Sequence, residues 1–196
     1  MTSPDCDEQD AHDMARLNAG HDAALNALMA RHAERLFHYL VRQLNNEADA
    51  ADVAQEAFVR VYHHRARYRP EQSFSTWLYT IATNLVRDRF RWRKRHPQVS
   101  LDEGDEENAP LKDLIPDATA SPSEQSSTNE HAIEVRRAIA ALPEDLRTVV
   151  ILSEYDGLPH AQIATVLNCS PKAVESRLYR ARAHLRKRLE SLLQPG

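Results

Sequence analysis

Glycine is scarce in this chain. Four glycines in 196 residues are too few for the many tight turns of an all-β protein, and too few for the glycine-rich loops that cradle nucleotide phosphates. Cysteine is scarcer still. Cys6 and Cys169 cannot build a disulfide framework. The acidic segment Met1 to Asp10 has no apolar centre and reads as no export signal, so a reducing cytoplasm is the expected location. No apolar run approaches the roughly 18 residues of a membrane span, so no direct membrane contact is expected. Ten histidines are present, yet no Cys-x-x-Cys or His-x-x-x-His spacing occurs. His63 and His64 are adjacent and point to different sides of a helix, and His160 and Cys169 fall on opposite arms of a turn. Neither a metal nor another cofactor is expected. Asp52 and Glu56 pair as carboxylates, but no Ser/His/Asp set or phosphate loop accompanies them, so no catalytic residue is expected.

What is present is charge, and it is unevenly placed. The net charge of −4 conceals blocks of opposite sign: residues 1–20 carry −4, 21–97 carry +5, 98–130 carry −8 and 131–196 carry +3. Residues 1–20 read as an acidic tail. Residues 98–130 read as a flexible acidic linker, with Pro110, Pro116, Pro122, the run Asp102 to Glu107 and a serine-rich end. Its few apolar residues bury too little area to offset ordering entropy, although Leu111, Leu114 and Ile115 have the spacing of one docked helical turn. The two basic blocks suggest a polyanionic partner.

Both basic blocks read as helical, giving an all-α fold of two small domains. In the first, Leu25, Leu28, Met29, Leu36, Leu40 and Leu44 lie on one helix face, and Asn45-Asn46 is the stop. A second helix from about Asp49 carries the stripe Ala54, Ala57, Phe58, Val61, with Asp52, Gln55, Glu56 and Arg60 opposite. Pro70 marks a loop over 65–72. A third helix runs from about Phe74 to Lys94 and ends on Arg87, Arg89, Arg91, Arg93, Lys94 and Arg95, more cations than the helix dipole alone explains. Tyr68, Phe74, Trp77, Tyr79, Phe90 and Trp92 interleave with arginines here. Stacking faces beside positive charge are what single-stranded nucleic acid requires.

In the second block, one helix ends near Leu142-Pro143 and another starts around Leu146. Gly157 suits a turn with positive φ. Two short helices follow: residues 159–167, burying Ile163, Ala164 and Leu167, and a last helix from Pro171 to about Leu193, burying Val174, Leu178, Ala181 and Leu185. Between them, Asn168 tolerates the left-handed conformation, Ser170 is an N-cap and Pro171 a first helical residue. This is a helix-turn-helix, whose second helix enters the major groove N-terminus first.

Asp52-Val-Ala-Gln55-Glu56-Ala-Phe58, followed by Phe74-Ser-Thr76-Trp77-Leu78-Tyr79-Thr-Ile81-Ala82-Thr-Asn84, resembles conserved region 2 of bacterial sigma factors. The stretch from Leu142 through Gly157-Leu158, Ile163-Ala164, Ser170, Val174, Ser176-Arg177-Leu178 and Arg180-Ala181-Arg182 to Arg186 resembles region 4. Two blocks joined by a linker resemble the extracytoplasmic-function (ECF) group. The resemblance implies an alternative sigma factor, with Asp52, Gln55 and Glu56 docking on the β′ clamp helices of core RNA polymerase and region 4 on the β flap. It implies −10 promoter contacts from Arg67, Tyr68, Phe74, Ser75, Trp77, Asn84, Arg87 and Arg91, with a base flipped into a pocket at the loop before the third helix. It implies −35 contacts from Ser170, Lys172, Ser176, Arg177 and Arg180. An anti-sigma factor is a further implied partner, and the acidic linker would run near the polymerase cleft. Lys172, Ala173 and Glu175 depart from the Gly-Thr and the basic residue common in relatives, which implies an unusual −35 sequence. Two other readings share these residues: a helix-turn-helix regulator that binds duplex DNA without polymerase, and a sequestering protein without promoter function.

Overall fold

The computed structural model describes residues 4–96 and 122–190, and all regular structure among them is helical. The first module comprises α1 (Pro4–Asn18), α2 (Ala23–Leu44), α3 (Glu47–His64), a 3-10 turn (Arg65–Arg67) and α4 (Phe74–Arg95). The second comprises α5 (Pro122–Ala140), α6 (Glu144–Val150), a π-helical continuation (Ile151–Tyr155), α7 (His160–Leu167) and α8 (Pro171–Arg188). No helix among the described residues is long and apolar enough to cross a membrane.

Local chemistry sets the boundaries. Helix α2 buries Leu28, Leu36, Leu40 and Leu44, while Met29 of the expected stripe stays exposed. It ends where Asn45 turns left-handed at φ 52°, and Asn46 caps α3 by accepting from the Asp49 amide at 2.8 Å. Glu47 and Asp49 in the first turn of α3 suit its dipole. Ser73 caps α4 by accepting from the Thr76 amide. In the second module Gly157 has φ 64° and Asn168 φ 50°, conformations open to glycine and tolerated by asparagine. Ser170 accepts from the Ala173 amide at 3.2 Å, and Pro171 follows it. The last helix closes at Arg188, short of the expected Leu193; residues 191–196 lie outside the described residues.

Two expectations need correction. Within the expected tail, Pro4–Asn18 is a helix. Helix α1 packs on α2, with Met14 and Leu17 fully buried and Asp10 and Asp13 bonded to Arg31 at 2.8 and 2.6 Å. Its acidic residues mark a docking face matched to a cation on α2, which charge counting alone cannot distinguish from solvation. The expected linker also ends early, because α5 starts at Pro122. The acidic run and the turn at Leu111, Leu114 and Ile115 lie outside the described residues.

The modules meet where α4 packs on α7 and where α2 packs on α6 and the π segment. The wider π winding, with the Asp156 amide bonded back to the Ile151 carbonyl at 3.1 Å, aims Asp156 into the first module. Tyr79 donates to Asp156 Oδ1 at 2.8 Å, and Arg35 donates to the Asp156 carbonyl at 2.9 Å. Arg147 donates to the Gln43 carbonyl at 2.7 Å, and Arg42 lies over the Tyr155 ring at 4.4 Å. Asp156 Oδ2, Gln43 Nε2 and Arg147 Nε are nonetheless buried without partners. Each such atom costs about 1–3 kcal/mol, so the contact is specific in geometry but weak for its polarity.

Burial pushes the Asp156 carboxyl above its ordinary range, against the opposing effects of Tyr79, Arg35, Arg42 and His38. A carboxyl with a raised native pKa stabilises the packed state fully below the unfolded value, and that contribution is lost as pH rises through the native value. We predict that the modules separate more readily as pH rises, and that Asp156→Asn flattens this dependence. Energy transfer between a dye on α3 and one on α8 measures it; an unchanged pH slope in the variant counts against the burial argument.

Candidate protein- and nucleic-acid-binding surfaces

Four residues of α3 project together. Asp52, Gln55 and Glu56 are exposed, and one turn on Val59 is 42% exposed. Val59 is thus a single exposed apolar side chain beside three acceptor-rich ones. Glu56 is held by Arg60 at 2.9 Å. Across a groove stands the C-terminal half of α4, with Arg89, Arg91, Trp92 and Arg93 in its wall. Arg89 and Arg93 both pair with Asp49 and stitch α4 to α3. Arg91 pairs with Asp88 on its own helix. Trp92 is 48% exposed and stacks on His96 with ring centroids 4.9 Å apart.

The loop before α4 carries an aromatic cluster. Tyr68 and Trp77 are half-buried with centroids 5.4 Å apart, and each ring also meets Phe74. The Tyr68 hydroxyl donates to the Gln72 carbonyl at 3.0 Å. Burial, then Asp10, Asp7 and Glu71, push its pKa up to about 12, so it remains a donor at any physiological pH. Arg67 beside it is exposed.

The structure divides the residues expected at −10 DNA. Arg67, Asn84 and Arg91 are exposed; Tyr68, Trp77 and Arg87 are half-buried, with Arg87 3.8 Å from Glu144 of the second module. Phe74 is fully buried between His32, Tyr68 and Trp77. It supports the aromatic cluster and offers no face to a base. Ser75 is also buried, in the wall of a cavity of about 200 Å³ at the module contact. Tyr79, read as one of the interleaved rings, is spent on Asp156.

On α8, Val174, Leu178 and Ala181 face the core. Lys172, Glu175, Ser176, Tyr179 and Arg180 cover the opposite side and are exposed. Lys172 and Glu175 are 3.7 Å apart. Arg177 is placed differently from expectation. Its guanidinium donates to Cys169 Sγ at 3.3 Å and lies 3.6 Å from Asp145, so it braces the turn. Ser170 is occupied as the helix cap. Tyr179, 78% exposed, was missed. Its signal was register: positions 172, 175, 176 and 179 lie on one helical face opposite the apolar stripe.

Comparison with known proteins agrees with this geometry. The Sigma-70 region 2 family model matches residues 28–96, and the Sigma-70, region 4 model matches residues 132–185. The RNA polymerase sigma-H factor of Pseudomonas aeruginosa is 34% identical over 192 residues, covering 95% of this chain and 97% of that protein. The chain belongs to the sigma-70 family. Within that family, the ECF sigma-E factor of Escherichia coli is 32% identical over 184 residues, covering 91% of this chain and 93% of its own. The ECF factor SigW of Bacillus subtilis is 32% identical over 180 residues, covering 90% and 95%. The solved structure of CnrH in complex with the cytosolic domain of CnrY superposes with a TM-score of 0.68 at 25% identity, covering 93% of this chain and 98% of that one. The chain is an alternative sigma factor of the ECF group, in a family of transcription initiation factors rather than enzymes. The α3 face and the aromatic loop fall in region 2, and the exposed face of α8 in region 4.

The division of arginines is testable. Asp49→Asn removes the shared partner of Arg89 and Arg93; it should cost about 1–3 kcal/mol in chemical denaturation, and Asp88→Asn, whose pair is exposed, at most about 1 kcal/mol.

Proposed function

We propose that this sigma factor docks on core RNA polymerase through Asp52, Gln55 and Glu56, then reads promoter DNA at two separated elements. The observation that carries the first step is the exposed Val59 set among those three polar side chains. Partner arginines bond the carboxylates while Val59 is covered. Region 2 then holds the −10 non-template strand, with Tyr68 and Trp77 as stacking surfaces and Arg67, Asn84, Arg87 and Arg91 along its backbone. Arg87 must first leave Glu144, so strand binding and module separation are coupled. Phe74 and Ser75 act from beneath, by fixing the loop. Region 4 lays α8 in the major groove at −35, with Lys172, Ser176, Tyr179 and Arg180 facing the duplex; Ser170 and Arg177 hold the helix in place. The protein performs no covalent chemistry of its own and works in the cytoplasm, where polymerase and chromosome are. The complex of CnrH with the cytosolic domain of CnrY supports an anti-sigma factor as a further partner.

Asp52→Arg combined with Glu56→Arg should abolish co-elution with core polymerase while leaving the helical circular dichroism spectrum intact. Promoter-directed run-off transcription is then lost. Lys172→Ala and Arg180→Ala should each lower −35 binding by about 1–3 kcal/mol in the holoenzyme, whereas Arg177→Ala should lower the melting temperature first. A purified chain that footprints promoter DNA equally well without polymerase would instead favour a self-sufficient helix-turn-helix regulator.

A further inference from the structure

Helices α1 and α2 bring Cys6, Asp10 and His32 together so that one ligand atom from each lies within 4.8 Å of the others. Cys6 and Asp10 are one turn apart on α1, and His32 reaches across from α2. His32 Nε2 is 2.6 Å from Asp10 Oδ2, and Cys6 Sγ is 4.0 Å from the same oxygen. Asp10 and His32 are buried and Cys6 is half-buried. A further carboxylate oxygen in the same neighbourhood, Asp7 Oδ1, is buried without any hydrogen-bond partner. Asp7 and His32 also line the cavity of about 200 Å³ at the module contact, which gives an ion a way in.

We propose that Cys6, Asp10 and His32 form a three-residue zinc site, with water in the fourth position. Thiolate, imidazole and carboxylate are the donors that a borderline-soft, tetrahedral ion accepts. Bond lengths of about 2.0–2.3 Å place tetrahedral ligand atoms roughly 3.3–3.8 Å apart. The Cys6–Asp10 separation closes slightly and the His32–Asp10 separation opens as the ion replaces the shared proton. On binding, the Cys6 thiol proton leaves to solvent, and the imidazole proton moves from Nε2 to Nδ1, freeing Nε2 for the metal. One thiolate and one carboxylate then neutralise a divalent ion, and Arg31, which donates to Asp10 Oδ1 at 2.8 Å and to Asp13 at 2.6 Å, orients the Asp10 ligand.

Position gives the site a consequence. The His32 ring packs on Phe74 at 5.0 Å, and Phe74 carries Tyr68 and Trp77. Helix α1 also packs against the 3-10 turn that leads into the aromatic loop. An ion joining α1 to His32 therefore clamps the support of the loop proposed to hold the −10 strand. The site stands or falls without that functional reading, because its ligands are read by spectroscopy.

The test is a cobalt(II) titration of the full chain purified in chelator. Wild type should develop a thiolate-to-cobalt charge-transfer band and tetrahedral d–d bands that saturate at one equivalent and are bleached by zinc. The charge-transfer band should vanish in Cys6→Ser and persist in Cys169→Ser. Zinc should raise the melting temperature of wild type and of Cys169→Ser but not of Cys6→Ser. Cys6 is only partly buried, so its serine variant retains the fold, which circular dichroism checks. Absence of the band in wild type, or its survival in Cys6→Ser, overturns the proposal.

Discussion

Helix α2 is surrounded, and the burial it imposes organises the rest. Its leucines close the core with α3 and α4, and Tyr39, fully buried, donates or accepts at Thr83 over 2.8 Å to fix α4 in register. Burial drives the Tyr39 hydroxyl pKa far upward, so it enters this bond protonated. The polar residues of α2 are then distributed by face. Arg31 and His32 take the carboxylates of α1. Arg35, Arg42 and Gln43 take the second module. A helix with polar groups on so many sides is stable only if each side is answered. That requirement places α1, and through it the aromatic loop, as firmly as the leucines place α3.

The contact between modules obeys a different economy. It contains ordered bonds from Tyr79, Arg35 and Arg147, but also buried atoms on Asp156, Gln43 and Arg147 with nothing to bond. A permanent interface would have removed those groups, since apolar replacements of similar shape cost less. A contact that must release is better served by groups that water satisfies on opening. Such release suits a protein that grips two separated DNA elements. Each grip alone is weak, and a rigid body between them, supplied by a polymerase, turns the second binding into an intramolecular step. Opening of this contact on docking would let that body set the spacing.

Much of this was legible in the residues. Apolar periodicity located α2, α3, α4 and α8, and the Asn45-Asn46 stop, the Asn168 turn and the Ser170 cap located several of their ends within a few residues. The two regional motifs located the candidate faces. What failed did so for identifiable reasons. Phe74 and Arg177 belong to residue types that serve binding when exposed and architecture when buried, and sequence does not reveal which neighbours will claim them. Helix α1 was hidden because Asp10 and Asp13 carry the signature of a solvated tail until Arg31, some twenty residues away, is seen to meet them. The cluster of Cys6, Asp10 and His32 was hidden for the same reason: its ligands lie on two helices, and no local spacing announces a site assembled by packing. Asp156 looked like half of a turn, because a π-helical step and a partner on α4 are both invisible to periodicity.

The arginines show why a basic block is an incomplete argument for nucleic-acid binding. Counterion release depends on the phosphates that a protein neutralises, and a guanidinium already paired inside the fold neutralises none without first breaking that pair. Arg89 and Arg93 are committed to Asp49, Arg31 to α1, Arg147 to Gln43 and Arg177 to the turn. Arg67, Arg69, Lys94 and Arg180 are exposed and have no acidic partner among the described residues. These sit at the aromatic loop, at the end of α4 and on the outer face of α8. The fold thus spends some of its cations on stitching helices together and leaves others exposed, among them those at the aromatic loop and on the outer face of α8. Attraction to a polyanion depends on the placement of the unpaired cations rather than on the net charge of −4.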